Sequence, residues 1–171
     1  MRHLILLRHA KSSWEDPSLD DFDRPLAPRG IEAAKRMGRE IARRGWLPAS
    51  VLVSPALRTR QTWELASAEL PGTPTVEFRQ PLYEATAATI LAELTSVRKT
   101  TGTLLVIGHN PGMEDLARRL ARDDSDPGAL ARLRAKFPTA ALARFAFDNA
   151  WKGLGPRSAR LTDFLIPKDL T

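Results

Sequence analysis

The apolar positions of this chain alternate between short unbroken runs and helical stripes. Leu4-Ile5-Leu6-Leu7 is a run of four that stops at Arg8-His9, the pattern of a strand buried on both faces. Lys11 to Pro28 is polar and Asp-rich and reads as a loop, of a length that within a compact domain is usually functional or mobile. Beyond Gly30, Ile31, Ala34, Met37, Ile41 and Ala42 share one helical face, with bases opposite and Gly45 as the stop. Val51-Leu52-Val53 repeats the buried-strand pattern and ends at Ser54-Pro55. The spacing then predicts a helix over Ala56 to Leu70, a strand over Thr75 to Phe78, and a connecting loop at Pro81-Leu82-Tyr83-Glu84. An amphipathic helix follows through Ile90, Leu91, Leu94 and Val97. Thr103 to Ile107 is another strand, running into Gly108-His109-Asn110-Pro111-Gly112, with a helix behind it marked by Met113, Leu116, Ala117 and Leu120. Asp123 to Pro138 is polar and predicts a surface excursion with some helix. Ala140 to Phe147 and Ala159 to Ile166 predict two edge strands joined by a Gly-rich turn.

This alternation predicts an α/β protein: a three-layer α/β/α sandwich with a mainly parallel central sheet covered on both faces. If the buried strands are parallel, three polar endings share one edge: Arg8-His9, Ser54-Pro55 with Arg58 just beyond, and Gly108-His109. Open α/β sheets bind ligands at that carboxyl edge.

Composition narrows the classes. The chain has 171 residues, about one domain on length, which predicts a single domain over 1–171. With 43% hydrophobic and 27% charged residues it has the balance of a globular protein, not a disordered one. No apolar run approaches the roughly 18 residues of a membrane span, and the N-terminal run is too short for a signal peptide, so a cytoplasmic location is expected. The absence of cysteine excludes disulfides, a thiolate nucleophile and a sulfur-ligated zinc cluster. The net charge of +6 is spread along helices, as in Lys35, Arg36, Arg39, Arg43 and Arg44. It reads as a solvated face, without basic-aromatic alternation, so no nucleic-acid or membrane partner is expected. A basic balance does favour encounter with anions.

Two of the three histidines, His9 and His109, end the two strongest strands; His3 lies at the opposite end of the first and reads as structural or solvated. Two arginines and two imidazoles, with no carboxylate in their own motifs, describe a receptor for a tetrahedral dianion. Arginine grips phosphate oxygens as a bidentate fork, and a neutral imidazole is a competent nucleophile toward phosphorus. Phosphoryl transfer needs in-line positioning and charge stabilisation above all. A metal is not expected, since the arginines would repel a divalent ion and no H-x-H or H-E-x-x-H spacing occurs. The glycine-rich nucleotide loops are also absent, so no cofactor is expected.

Leu7-Arg8-His9-Ala10, Ser54-Pro55-Ala56-Leu57-Arg58-Thr59-Arg60-Gln61-Thr62 and Gly108-His109-Asn110-Pro111-Gly112 together resemble the signatures of the histidine phosphatase superfamily, which includes phosphoglycerate mutases. Three further stretches are more similar still to the small SixA-type phosphohistidine phosphatases: Arg8-His9-Ala10-Lys11-Ser12-Ser13-Trp14, Asp23-Arg24-Pro25-Leu26 with Gly30, and Phe137-Pro138-Thr139-Ala140-Ala141. The likeness runs from the first strand to about Phe147. It implies a phosphoglycerate mutase-like sheet, His9 as a transiently phosphorylated nucleophile, and a phosphate pocket completed by Arg8, Arg58 and His109. Glu84 matches the region where many members place a general acid. The implied activity is a metal-independent phosphatase acting on phosphohistidine in a protein. A phosphomonoesterase for a small metabolite such as a sugar phosphate or nucleotide is the alternative, and a non-catalytic phosphate-binding module a more distant one. The sequence departs from the pattern at Ala10, in place of a glycine, at Glu15, where mutases often have a phosphate-contacting Asn, and at Ala27, in place of a Thr that could cap a helix. The short chain implies an open site, suited to a phosphorylated side chain on a protein.

Overall fold

The structure is a computed structural model and describes residues 1–170. Its elements in chain order are β1 (Arg2–Arg8), α1 (Pro28–Arg44), β2 (Ser50–Val53), α2 (Leu57–Ser67), β3 (Thr75–Phe78) and α3 (Ala87–Leu94), then β4 (Thr103–Gly108), α4 (Gly112–Leu120), α5 (Pro127–Ala135), β5 (Leu142–Phe147) and β6 (Arg160–Leu165). The six strands form one sheet in the order β3-β2-β4-β1-β5-β6. β3, β2, β4 and β1 are mutually parallel, while β5 runs antiparallel to β1, and β6 to β5. β1 and β4 hold the centre because their apolar runs satisfy burial on both faces: Leu4 to Leu7 and Leu104 to Ile107 are all fully buried.

Side chains alternate across a strand, so each run feeds two cores. Leu4, Leu6, Leu104 and Val106 pack with Ile90 and Leu94 of α3, Leu116 and Leu120 of α4, and Leu133 of α5. Ile5, Leu7, Leu105 and Ile107 pack on the other face with Met37 and Ile41 of α1 and Trp63 of α2. Three layers result, with both sheet faces covered. Gly45 ends α1 in the left-handed conformation at φ 71°, and Ala27 supplies no side-chain cap at its start.

The differences from the sequence reading are local. α2 stops at Ser67, short of Leu70, and Val97 lies beyond the end of α3. Ile31 and Ala42 are only half-buried on α1. The segment before Pro138 is more than a surface excursion: Ala129, Leu133 and Phe137 recur every four residues and are buried in the core. Asp126 caps α5 by accepting the Ala129 N–H at 2.9 Å. The link between β5 and β6 is also more than a turn, since it buries Trp151, whose indole N–H donates to the Thr101 carbonyl at 2.8 Å.

Candidate active site

Parallel register is what assembles the site. Arg8 pairs with Gly108 and Val53 with Ile107, so the residues that follow β1, β2 and β4 emerge side by side. The His9 N–H donates to the Gly108 carbonyl at 3.1 Å and the Ser54 N–H to the Ile107 carbonyl at 3.0 Å. The two imidazoles face each other with ring centroids 5.2 Å apart. Arg58, in the first turn of α2, comes to the same place, and His9, His109 and Arg58 are each about nine-tenths or more buried.

The contacts of His9 define its chemistry. Its Nδ1 lies 2.7 Å from the Ala10 carbonyl oxygen. A carbonyl can only accept, so Nδ1 carries the proton and Nε2 the free lone pair. Burial lowers the ring to a pKa of about 4; the Ala10 contact opposes that shift, and Arg58, Arg8 and Arg24 reinforce it. His9 is therefore neutral at pH 7, with a defined tautomer. Ala10 is fully buried, and its N–H donates to Thr62 Oγ1 at 3.0 Å, while that hydroxyl donates to the Arg58 carbonyl at 2.7 Å. One α2 side chain thus ties the loop after His9 to the turn that carries Arg58.

His109 is lowered further, to about 3, by burial first and then by His9 and Arg58, with Asp21 opposing. Its Nε2 is 2.7 Å from Ser54 Oγ. The Ser54 oxygen also faces the Ala56 N–H, at 3.5 Å; when the hydroxyl gives its own proton to Nε2, the ring proton sits on Nδ1. Among the described residues that Nδ1 has no partner, and neither do Arg8 Nε and Arg58 Nε. Three orphaned buried nitrogens around one histidine are a strong signature, because an unsatisfied buried donor is costly.

Phe137-Pro138-Thr139-Ala140-Ala141 closes under β1. The Phe137 carbonyl accepts from Arg8 Nη1 at 3.1 Å and from Asn110 Nδ2 at 2.9 Å. The Ala140 N–H donates to the His9 carbonyl at 3.0 Å, and the Arg8 N–H to the Ala141 carbonyl at 3.1 Å. Ala140 does this at φ 60°, a conformation that costs an ordinary residue about 1–2 kcal/mol.

A carboxylate from outside those motifs enters the constellation. It comes from Asp21, in the long loop after β1. Asp21 Oδ2 accepts from Arg58 Nη2 at 3.0 Å and from the Tyr83 hydroxyl at 2.7 Å, and Oδ1 accepts from Arg24 Nη2 at 3.0 Å. Burial works to raise the Asp21 pKa, but the bonds from Tyr83, Arg24 and Arg58 outweigh it and hold it to about 2. Arg24 is buried, donates to Ser12 Oγ at 2.7 Å and lies 3.6 Å from the centroid of the exposed Trp14 ring. The Tyr83 ring stands edge-on to His109, centroids 5.6 Å apart, and burial followed by Asp21 raises its hydroxyl pKa. Glu84 is exposed beside it, at φ 55°.

Two glycines permit close approaches around this edge. A Cβ on Gly30 would lie 2.1 Å from the Lys11 carbonyl oxygen, and one on Gly112 would lie 2.2 Å from that of Ala85. The first lets α1 press on the loop two residues after His9, and the second lets α4 press on the loop that carries Tyr83 and Glu84.

Of the residues expected at the site, Arg8, His9, Arg58 and His109 converge, while Glu84 stands at the rim. His3 lies at the far end of β1. Asp21, Arg24, Ser54 and Tyr83 had no assigned part. Asp21 stands in a loop rich in similar residues and carries no local signal; Arg24 stood out only within Asp23-Arg24-Pro25-Leu26.

Comparison with known proteins identifies the family. Residues 4–91 match the model of the histidine phosphatase superfamily, branch 1. An uncharacterised Mycobacterium tuberculosis protein is 37% identical over 169 residues, covering 95% of this chain and 100% of that protein. The solved structure of a Nakamurella multipartitia protein designated a SixA phosphohistidine phosphatase superposes with a TM-score of 0.83 at 35% identity, covering 97% of this chain and 96% of the other. A similarly designated Agrobacterium tumefaciens protein gives 0.81 at 30% identity, covering 97% and 98%. This chain belongs to the histidine phosphatase superfamily. Membership, with SixA-like neighbours and a phosphoglycerate mutase-like fold, supports phosphatase activity.

Proposed function

We propose that this protein removes a phosphoryl group from phosphohistidine in another protein, by way of a covalent phosphohistidine on His9. The observation that carries the reading is the ring of orphaned buried nitrogens around His9, at Arg8 Nε, Arg58 Nε and His109 Nδ1. A tetrahedral dianion seated there gives each N–H an oxygen acceptor, through charge-assisted hydrogen bonds. The same donors stabilise charge on the equatorial oxygens during transfer.

In the first step the lone pair on His9 Nε2 attacks phosphorus in line with the leaving group. A P–N bond to His9 forms as the bond to the leaving group breaks, and the leaving group takes that electron pair and, for an imidazole, a proton from solvent. In the second step water attacks the same phosphorus, the P–N electron pair returns to Nε2, and inorganic phosphate departs as the water proton passes to solvent. The bond from Nδ1 to the Ala10 carbonyl steadies the ring through both steps. An imidazole leaving group is easily protonated near neutral pH, whereas an alkoxide is a poor leaving group and needs an acid. Glu84 is assigned to that task for esters only.

Phosphate release, with chelator present, from a phosphohistidine protein and from a panel of phosphate monoesters tests the substrate. The expected result is a higher kcat/KM for phosphohistidine. Preference for a sugar phosphate or nucleotide would overturn it and assign the protein to small-molecule metabolism.

A further inference from the structure

On the α1 side of the same sheet edge, a groove of about 550 Å³ opens to solvent. Its walls come from the loop after β1, the first turns of α1, the stretch before β5 and the end of β6. It adjoins the candidate site through the backbone: Lys11 lies two residues after His9, and Lys136 precedes Phe137, whose carbonyl holds Arg8. Five cationic side chains line it, Lys11, Arg29, Arg36, Lys136 and Lys168, against the single carboxylate of Glu32.

Four of these cations are not spoken for, while Arg36 donates to the Pro167 carbonyl at 3.4 Å. Many surface arginines elsewhere are matched, as Arg44 is with Glu40 and Arg79 with Glu77 and Glu93. Among the described residues, Lys11, Arg29, Lys136 and Lys168 are exposed and form no ion pair, and Glu32 is turned to Lys35 at 3.9 Å. The floor between them is apolar, with Ala33 and Ile166 beside prolines. An open trough with an apolar floor and cationic rims suits an extended polypeptide that carries its own carboxylates.

We propose that this groove docks an acidic segment of the phosphoprotein substrate next to the phosphorylated residue. The proposal rests on the phosphohistidine reading for its substrate, but its binding half stands apart from it. Each exposed ion pair contributes little by itself, so three or four acting together correspond to roughly a tenfold gain in kcat/KM at low salt.

The test uses two short phosphohistidine peptides, one with Asp and Glu beside the phosphorylated residue and one with Ser in their place, and phosphoramidate as a substrate without flanks. The wild-type protein is expected to prefer the acidic peptide about tenfold at low ionic strength, with the preference fading as salt rises. In the charge-reversed R29E/K136E/K168E protein the preference should vanish, while phosphoramidate hydrolysis stays unchanged. Equal rates for the two peptides with wild type, or a preference that survives charge reversal, would overturn the proposal. Lys136→Gln alone, a mild change at an exposed position, should remove part of the preference if the triple variant folds poorly. A fluorescein-labelled acidic peptide without phosphohistidine separates docking from chemistry. Binding by wild type and not by the triple variant supports the groove even if no phosphohistidine substrate is turned over, and that second outcome would refute the function alone. Tighter binding of a DNA oligonucleotide of equal charge would overturn the assignment to a polypeptide.

Discussion

Asp21 and Arg58, far apart in sequence, form a two-point clasp at the mouth of the site. Arg58 Nη1 donates to the Asp21 carbonyl at 2.7 Å and Nη2 to its carboxylate at 3.0 Å. Both terminal nitrogens are held, and only Nε is left without a partner. The loop carboxylate therefore aims the guanidinium and limits its motion. Arg58→Ala should lower kcat/KM by about 10²–10³-fold, the usual loss for a missing donor to developing negative charge. Asp21→Ala should cost about tenfold, as second-sphere partners do. If Asp21 acts through Arg58, its effect disappears in the Arg58→Ala background. Additive losses in that double-mutant cycle would refute the clasp.

The depressed histidines give a pH signature. His9 is lowered to about 4 and His109 to about 3, so both stay neutral from pH 7 down to about pH 5. In the unfolded chain both bind protons near pH 6.5. Stability is therefore lost as pH falls below about 6.5, with the His9 share complete near pH 4. Imidazole titration by NMR should show both rings neutral at pH 5.5, with His9 as the Nδ1–H tautomer. A midpoint near 6.5 for His9 would contradict the buried, carbonyl-bonded geometry.

Glu84 separates substrate classes. The Glu84→Gln protein should lose about 10²-fold on phosphate esters, where an alkoxide must be protonated, and less than about threefold on phosphohistidine. Equal losses on both would place Glu84 in binding, and no loss on either would remove it from the chemistry.

Gly30 tests the support beneath the site. Gly30→Ala sets a Cβ 2.1 Å from the Lys11 carbonyl oxygen, and backbone on both sides leaves little room to yield. Urea unfolding should show a loss of about 2–4 kcal/mol, with lower activity in the folded fraction. Unchanged stability would mean that α1 and the loop after His9 are not in contact.

Much of this was legible along the chain, for reasons particular residues make plain. Leu4 to Leu7 and Thr103 to Ile107 announce central strands because only a doubly covered sheet accepts unbroken apolar runs, and parallel pairing then brings His9 and His109 together. Arg58 was readable because it follows the second such strand closely. Asp21 was not, since its partners Arg58 and Tyr83 lie 37 and 62 residues away and loop closure leaves no periodic trace. The helix over Pro127–Ala135 hid for a different reason. Its inward stripe is only Ala129 and Leu133, continued by Phe137, among residues that otherwise read as solvated.

The proposed mechanism begins at His9. Labelled substrate should leave a phosphoryl group on wild-type protein, stable to base and labile to acid, which peptide mass spectrometry places on His9. In His9→Ala protein both the label and phosphate release should be absent. Label on another residue, or turnover that survives His9→Ala, would contradict the mechanism at its first step.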